Sequence, residues 1–292
     1  MDLFNEDCFE MFPKILDNSV DFFLLDLPYA NKKFGKCTAC KWDTPIDLER
    51  MWIEIKRTMK PTAMIAFFCN TKFGFALIES NPKWFAYDLI WKKSRKVGFL
   101  SANKQPLRQH ENIYIFKDKT GTYNPQKTEG KPYNKKENML HEDGENLYNN
   151  GKKIINTALE NKGDRHPTSI IEIKDKSCYQ VHKDIQYAKT RADPKGLEPR
   201  HPTSVIDLED TILEFNNPHK PQHRTQKPVD LCEWLIKTYT NEGDVVCDFT
   251  MGSGTVGVAC KNINRKFIGC ELDSEIFNIA KERIDKHILD KK

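Results

Sequence analysis

The sequence predicts an α/β fold with a mostly parallel sheet, drawn from the two ends of the chain around a loop-rich insertion. Apolar runs alternate with stretches of helical spacing in residues 1–116, and the same alternation returns in residues 218–292. Such alternation is typical of parallel sheets with crossover helices. Residues 117–217 are rich in Asn, Lys, Gly and Pro and have weak periodicity, which indicates an inserted region dominated by loops.

The first half contains three predicted strands and one clear predicted helix. Residues 20–25, Val-Asp-Phe-Phe-Leu-Leu, form a short apolar run typical of a buried strand. Residues 63–69 and 112–116 have the same character, whereas residues 46–59 place their apolar side chains at helical spacing. We therefore expect residues 1–116 to supply one half of the sheet.

The second half shows the same alternation. Helices are predicted at residues 229–240, 256–262 and 274–288, with strands at 244–248 and 266–271. Only one helix follows the last of these strands, so the rest of the sheet must come from the N-terminal half. The predicted order is therefore circularly permuted.

Composition and charge exclude several classes of protein. The 292 residues are 38% hydrophobic and 30% charged, and the net charge is +4. No apolar run reaches membrane-spanning length, and the first residues lack the basic and apolar segments of a signal peptide. We therefore expect a cytoplasmic protein with no membrane association, whose mild basicity is compatible with a polyanionic partner.

The cysteines indicate reduced thiols rather than disulfides, because their number is odd and they are scattered along the chain. The spacing Cys37-x-x-Cys40 also occurs in zinc and redox sites. No second Cys or His pair at matching spacing is evident nearby. Two structural thiols are therefore favoured, and no metal is expected.

A glycine-rich turn near the C-terminus is the first candidate ligand site. Residues 248–255, Asp-Phe-Thr-Met-Gly-Ser-Gly-Thr, follow a predicted strand and open a predicted helix. Gly252 and Gly254 allow a tight turn and close approach of a ligand to the helix N-terminus. Glu271 ends the next strand, where an acid can bind ribose hydroxyls. With Gly257 these glycines also fit a dinucleotide-binding pattern, and a tight turn that binds nothing is a further alternative.

A second candidate site is the turn Asp26-Leu27-Pro28-Tyr29, which follows the predicted strand at 20–25. Open α/β sheets bind ligands at this carboxyl edge. An amino group conjugated with an aromatic ring is a poor nucleophile and needs acceptors for its hydrogens. The Asp26 carboxylate and the Leu27 carbonyl are such acceptors, Pro28 stiffens the turn, and Tyr29 offers a ring for stacking. A structural turn with a core tyrosine explains these residues equally well when they are taken alone.

Together the two sites resemble the β-class DNA amino-methyltransferases, in which a catalytic Asp-Pro-Pro-Tyr motif precedes the cofactor motif. The resemblance covers residues 1–116 and 218–290. Its motifs occur in family order at residues 5–10, 16–21, 26–29, 223–228, 248–255 and 271. Residues 41–43 and 99–111 resemble adenine methyltransferases of phages and prophages. Residues 108–111, Arg-Gln-His-Glu, precede a predicted strand and are expected to order the catalytic edge, which is favoured over a general base at His110.

The resemblance implies a Rossmann-like sheet that binds S-adenosyl-L-methionine (AdoMet), with a target-recognition region in residues 117–217. It assigns catalysis to Asp26, Leu27, Pro28 and Tyr29, which would bind the target amino group and stack on a base flipped out of DNA. The cofactor-binding residues that it implies are Asp7, Cys8, Thr225, Gln226, Lys227, Asp248, Phe249, Gly252, Ser253, Gly254, Thr255 and Glu271.

The implied function is site-specific methylation of the exocyclic amino group of adenine in double-stranded DNA, by base flipping and direct transfer without a metal. Asp26 at the head of the turn favours adenine, because cytosine-amino enzymes of the family more often carry Ser there. Leu27 replaces the first proline of the family motif, and Arg224 replaces a proline of the segment 223–228. Neither change removes a functional group, so we expect activity.

Several alternatives stay open. The same turn suits the cytosine amino group, or an RNA or protein substrate. An NAD-dependent oxidoreductase would use the glycine turn but leave Asp26 and Tyr29 without a role. A protein that binds AdoMet and DNA without turnover would point to Leu27 as the inactivating change. A bacterial or phage origin, a homodimer and a cognate restriction endonuclease are all compatible with the resemblance, and the residues do not reveal the recognition sequence.

Overall fold

The computed structural model describes residues 1–135 apart from positions 32, 34, 37–39 and 41, together with residues 159–171 and 226–286. Cys37 of the Cys-x-x-Cys pair lies outside these residues, as does Thr225. Helices pack on both faces of a central eight-stranded sheet. None of the helices in this part of the chain combines the length and apolarity needed to cross a membrane.

The N-terminal half alternates strands and helices as predicted, and it contains elements that were not predicted. Its elements are β1 (Asp2–Phe4), α1 (Cys8–Met11), β2 (Val20–Leu25), α2 (Leu48–Thr58), β3 (Met59–Cys69), α3 (Thr71–Ser80), β4 (Phe85–Val97) and β5 (Arg108–Phe116). Asp47 and Asn70 fix the starts of α2 and α3, because each side chain accepts a hydrogen bond from the N–H three residues later. The unpredicted elements are β1, α1, α3 and β4.

A small compact unit, Pro125–Thr168, follows the N-terminal half. Its short strands are β6 (Thr128–Glu129), β7 (Tyr133–Lys135), β8 (Leu159–Asn161) and β9 (Asp164–Arg165). They form two antiparallel pairs, β6 with β9 and β7 with β8. Lys127 pairs with Asp164 at 2.5 Å inside this unit. The assignment of all of residues 117–217 to target recognition stays a prediction.

The remaining elements complete the main sheet. They are β10 (Ile170–Ile171), α4 (Val229–Tyr239), β11 (Val245–Asp248), α5 (Thr255–Asn262), β12 (Lys266–Cys270) and α6 (Ser274–Lys286). The predicted strands and helices of the second half all correspond to elements of this list, and their bounds agree within one residue, while the predicted end of the last helix at 288 lies outside the described residues.

The strand order confirms the permuted, mostly parallel sheet. The order is β1-β12-β11-β2-β3-β5-β4-β10, and only β5 is antiparallel to its neighbours. The C-terminal strand β11 pairs with the N-terminal strand β2, with Val246 opposite Phe22 and Cys247 opposite Phe23. The two ends of the chain therefore meet in the middle of one sheet.

Strand β2 is apolar except for Asp21, because both of its faces are covered, as expected for a central parallel strand. Phe22 packs in the core cluster that contains Leu231 and Leu235 of α4. Phe23 faces the opposite cluster, which contains Ile55 of α2. Each of these fully buried side chains contributes about 1.5–3 kcal/mol of hydrophobic stabilisation. This double burial holds the end of β2, and the turn that follows it, in a fixed position.

Candidate active site

Four neighbouring parallel strands bring the predicted site residues to one edge of the sheet. β1, β12, β11 and β2 are adjacent and parallel. The predicted acidic site residues lie at or just after the carboxyl ends of these strands: Asp7, Glu271, Asp248 and Asp26. Ligands of open α/β sheets bind at this edge. A cavity of about 910 Å³ lies there.

The cavity brings together both of the predicted sites. Gly254 is not among the lining residues, and Thr225 lies outside the described part of the chain. The predicted residues that line the cavity are Asp7, Cys8, Asp26, Leu27, Pro28, Tyr29, Gln226, Lys227, Asp248, Phe249, Gly252, Ser253, Thr255 and Glu271.

The glycine-rich turn has the backbone that its sequence predicts. Gly252 and Gly254 both have positive φ angles, 51° and 76°, which side chains disfavour. A Cβ atom on Gly254 would lie 3.0 Å from the Cβ of Ala280 and 3.1 Å from Cδ1 of Ile284. Gly254 therefore serves close packing of the turn on α6, and its predicted contact with the cofactor stays a prediction.

Glu271 is fixed by the backbone around it. Its Oε2 accepts a hydrogen bond from the Gly252 N–H at 3.0 Å, and its Oε1 accepts one from the Asp273 N–H at 3.0 Å. Asn5 donates to the Glu271 carbonyl at 2.8 Å. Burial raises the pKa of Glu271 above its ordinary value, against the effect of these N–H donors. Each oxygen keeps a further lone pair for a ligand hydroxyl.

Asp248 is a buried acid on the cavity wall. Its side chain is 3% exposed, and its Oδ1 accepts a hydrogen bond from the Thr250 N–H at 3.1 Å. Burial raises its pKa to about 8, and the charges of Asp26 and Glu271 act in the same direction. A positively charged ligand near Asp248 would favour its ionised form.

Asp26 is held on both of its oxygens by residues of the same cavity. Lys227 donates to Oδ2 at 2.5 Å, and the Tyr29 hydroxyl lies 3.1 Å from Oδ1. Thr250 donates to the Asp26 backbone carbonyl at 3.4 Å. Burial raises the pKa of Asp26; Lys227 opposes this shift and the charge of Glu111 adds to it. The ammonium of Lys227, which the family resemblance assigns to cofactor binding, thus lies at the predicted catalytic acid.

Glu111 was not among the predicted site residues, but its carboxylate contacts three side chains of the cavity wall. The Tyr29 hydroxyl donates to its Oε1, Lys93 pairs with its Oε2 at 2.6 Å, and Lys227 lies 3.4 Å from Oε1. Burial alone would raise the pKa of Glu111, but Lys227 and Lys93 lower it to about 2. Glu111 is therefore ionised at neutral pH and competes with Asp26 for Lys227.

The ring of Tyr29 is supported from one side. It stacks on Phe73 with ring centres 5.5 Å apart and an interplanar angle of 23°. The next residue, Ala30, donates its N–H to the buried Asp43 carboxylate at 2.8 Å, which holds the chain after the turn. Because Phe73 covers one face, a planar ligand in the cavity would stack on the other face of Tyr29.

Arg283 of α6 is a second residue that sequence reasoning missed. Its guanidinium donates to the backbone carbonyl of Ser253, to Ser253 Oγ at 2.9 Å and to Thr255 Oγ1 at 3.4 Å. These contacts tie the glycine-rich turn to the last helix. A basic residue in the last turn of a helix is common at the surface, so its sequence position alone gives no signal of this role.

The fold and the site together indicate the class of enzyme to which the protein belongs. A permuted, mostly parallel sheet with a glycine-rich turn and an Asp-x-Pro-Tyr turn at one edge is typical of Rossmann-like methyltransferases. The family model described as DNA methylase (N6_N4_Mtase) matches residues 20–282. This match covers most of the chain, which therefore belongs to the DNA methylase family.

Curated relatives are type II methyltransferases. M1.MboII of Moraxella bovis is 25% identical over 282 residues, which cover 94% of this chain and 92% of that protein. M.BglII of Bacillus subtilis is 25% identical over 299 residues, covering 95% of this chain and 67% of the relative. M.HpaI of Haemophilus parainfluenzae is 42% identical over 73 residues. That match is local and spans 25% of this chain and 23% of M.HpaI.

Solved structures confirm the predicted fold class. The crystal structure of the M1.HpyAVI–SAM complex has a TM-score of 0.56 at 20% identity, over 97% of this chain and 98% of that one. The PvuII DNA methyltransferase, described as cytosine-N4-specific, has a TM-score of 0.55 at 13% identity, over 99% of this chain and 86% of that one. At these identities the likeness shows a Rossmann-like methyltransferase fold.

Proposed function

We propose that this protein transfers a methyl group from AdoMet to the exocyclic amino group of adenine in double-stranded DNA. One observation carries the proposal: Asp26 and Tyr29 line the same cavity as the glycine-rich turn and Glu271. Asp26, an acceptor for an amino group, and the ring of Tyr29 thus lie in the same cavity as the residues that would bind the nucleoside part of AdoMet. Membership of the DNA methylase family supports DNA as the substrate.

The lining of the cavity suits AdoMet in charge. AdoMet carries an activated methyl group on a positively charged sulfur. Burial raises the pKa of Asp248 and of Glu271 on the cavity wall, so a cationic ligand would favour their ionised forms. Glu271 would bind the ribose hydroxyls, while the turn containing Gly252 would approach the amino-acid portion. M1.HpyAVI, which shares the fold, was solved as a SAM complex.

The amino group would bind at the turn after β2. Asp26 would accept one of its hydrogens and the Leu27 carbonyl another, which favours the tetrahedral nitrogen that attacks the methyl group. A base that is paired inside a duplex cannot bring its amino group to Asp26 within the cavity, so the base would leave the duplex and stack on Tyr29. As the methyl–nitrogen bond forms and the methyl–sulfur bond breaks, leaving a neutral thioether, negative charge on Asp26 would stabilise the positive charge on nitrogen, and one amino proton would then leave to Asp26 or solvent.

The choice of adenine rests on Asp26 at the head of the turn, as the family resemblance implies. Cytosine is the second candidate, because the PvuII methyltransferase of similar fold is described as cytosine-N4-specific. The amino groups of the two bases have the same chemistry, so Asp26 and Tyr29 would act on either in the same way.

Product analysis tests this proposal directly. The protein is incubated with labelled AdoMet and unmethylated duplex DNA, and the DNA is then digested to nucleosides for mass spectrometry. We expect the label on the adenine amino group. Label on the cytosine amino group would keep the proposed chemistry and contradict the choice of base. Binding of NADH without binding of AdoMet would contradict the proposed cofactor.

Asp248 gives a second prediction, a pH-dependent affinity for AdoMet. Its pKa of about 8 leaves it largely protonated at pH 6 to 7. A cationic ligand favours the ionised carboxylate, so binding must release a proton. We therefore expect affinity to rise by up to about tenfold per pH unit below pH 8 and to level off above it. Calorimetry between pH 6 and 9 would measure this slope.

The Asp248→Asn variant is the matched comparison. The Asn side chain keeps an acceptor for the Thr250 N–H but has no charge to titrate. The titration of the ligand itself is the same with both proteins, so the difference between the two slopes isolates Asp248. Ionisation of the buried Asp248 carboxyl destabilises the folded protein, and Asn cannot ionise. The ligand-free variant should therefore melt about 2–6 °C higher than the unmodified protein near pH 8. Equal slopes in the two proteins would contradict the role of Asp248.

A further inference from the structure

The connection between β4 and β5 exposes an apolar pair at its tip. Phe99 is 79% exposed and Leu100 is fully exposed. They belong to a short turn, residues 98–107, which we call the hairpin tip. Side chains of this size usually pack when they can, so two adjacent exposed ones suggest a surface that becomes covered in a complex.

The hairpin tip is ordered by its own hydrogen bonds. Gly98 adopts a positive φ of 93°, and its carbonyl accepts from the Ser101 N–H at 2.9 Å. The Phe99 carbonyl accepts from the Ala102 N–H at 3.0 Å, and the Ser101 carbonyl accepts from the Lys104 N–H at 2.9 Å. Phe99 and Leu100 are thus presented on a preformed turn, which reduces the entropy lost when they bind.

The base of the hairpin tip is part of the cavity wall. Val97 of β4 pairs with Arg108 of β5 at the end of the ladder, and both residues line the cavity. His110 and Lys93, further along the same two strands, also line it. The exposed pair therefore lies next to the cavity that would receive the target base.

Charge around the hairpin tip favours a polyanion. Residues 92–110 contain six Lys or Arg residues and no Asp or Glu, although Lys92 is buried and Lys93 pairs with Glu111. Lys96 and Lys104, on either side of the apolar pair, are exposed. A basic surface with apolar side chains at its tip is the arrangement that proteins use to bind DNA phosphates and wedge between bases.

We propose that the hairpin tip inserts Phe99 and Leu100 into duplex DNA beside the target, where they fill the space left by the base that enters the cavity. This inference rests on the proposed function, since it needs a base that leaves the duplex. The inserted side chains replace stacking that the flipped base loses, and Lys96 and Lys104 contact the flanking phosphates.

The double variant Phe99→Ala/Leu100→Ala tests this wedge. Its methyl-transfer rate is compared on an intact duplex that carries the mapped methylation site and on the same duplex with an abasic residue opposite the target. We expect the rate on the intact duplex to fall by about 10- to 100-fold, the range for losing one aromatic stack on a base. On the abasic duplex no pair has to be broken, so the variant should stay within about threefold of the unmodified protein.

Leu16→Ala, at another exposed leucine outside the cavity wall, is the control and should leave both rates nearly unchanged. Equal losses of the double variant on both duplexes, or no loss on either, would overturn the wedge. So would a change in sedimentation mass of the ligand-free variant with normal methylation, which would assign Phe99 and Leu100 to self-association.

A binding assay separates failure of the wedge from failure of the proposed function. Fluorescence anisotropy compares a duplex of arbitrary sequence with the same duplex carrying one abasic residue. We expect the unmodified protein to prefer the abasic duplex by about 10-fold and the double variant to lose this preference. If the unmodified protein methylates no DNA but shows the preference, only the proposed function fails. Absence of the preference overturns the wedge.

Discussion

Asp26→Asn should lower the rate of methyl transfer by at least about 1000-fold, as removal of a group that stabilises transition-state charge does in other enzymes. The variant keeps one acceptor oxygen, but it loses the negative charge that would stabilise the cationic nitrogen. It also releases Lys227, which donates to Oδ2 of Asp26 at 2.5 Å. Single-turnover transfer from labelled AdoMet to duplex DNA measures the change.

The same variant should bind AdoMet within about threefold of the unmodified protein, because the glycine-rich turn and Glu271 are unchanged. Asp21→Asn is the matched control on the same strand. Asp21 pairs with Lys60 at 2.8 Å and accepts from the Val245 N–H at 2.9 Å, but it does not line the cavity. A rate that falls equally in both variants would show that Asp26 acts through stability rather than chemistry.

The sequence predicts the centre of the sheet well because that part is buried on both faces. The apolar run of β2 matches its observed bounds, residues 20–25, and β11 and β12 agree within one residue. Hydrophobic periodicity does not predict strands that are only partly buried or that have very few residues. β4 was missed because its second half, Lys92 to Val97, is basic and extends towards an exposed tip. β1 has only three residues, too few for any period to show.

The site was predictable where its residues are neighbours in sequence. Asp26 and Tyr29 share one turn, and Asp248 stands beside the glycines. Residues 108–111 were expected to order the catalytic edge, but the contact of Glu111 with Tyr29 was not predicted, because it spans 82 residues and no local pattern reports it. One signal was present: an acid immediately precedes the apolar run at 112–116, and a charged group at the start of a buried strand requires a partner.

Glu111→Gln is expected to slow methyl transfer by about 10- to 100-fold. Glu111 and Asp26 share Lys227, which lies 3.4 Å from Oε1 of Glu111 and 2.5 Å from Oδ2 of Asp26. When Glu111 loses its charge, Lys227 is attracted to Asp26 alone and competes more strongly with the incoming amino group. AdoMet affinity should change little, so the loss should appear in kcat rather than in the dissociation constant of the cofactor.

The pH profile distinguishes this positioning role from a general loss of stability. Activity requires ionised Asp26, so the acidic limb of kcat follows the pKa of Asp26. The charge of Glu111 raises that pKa, and Glu111→Gln should therefore move the acidic limb to lower pH. A variant that is merely less stable would lose amplitude at every pH without this displacement.

Tyr29→Phe should move the acidic limb of the pH profile of kcat to higher pH, opposite to the shift expected for Glu111→Gln. The Tyr29 hydroxyl lies 3.1 Å from Oδ1 of Asp26, and this hydrogen bond lowers the pKa of Asp26. Its removal leaves the charge of Glu111 in place, so the acidic limb should shift to higher pH while the phenyl ring still stacks on Phe73. Opposite shifts in the two variants require that Glu111 and Tyr29 both act on Asp26. Shifts of the same sign would mean that the limb belongs to another group and that Glu111 serves only to hold the ring.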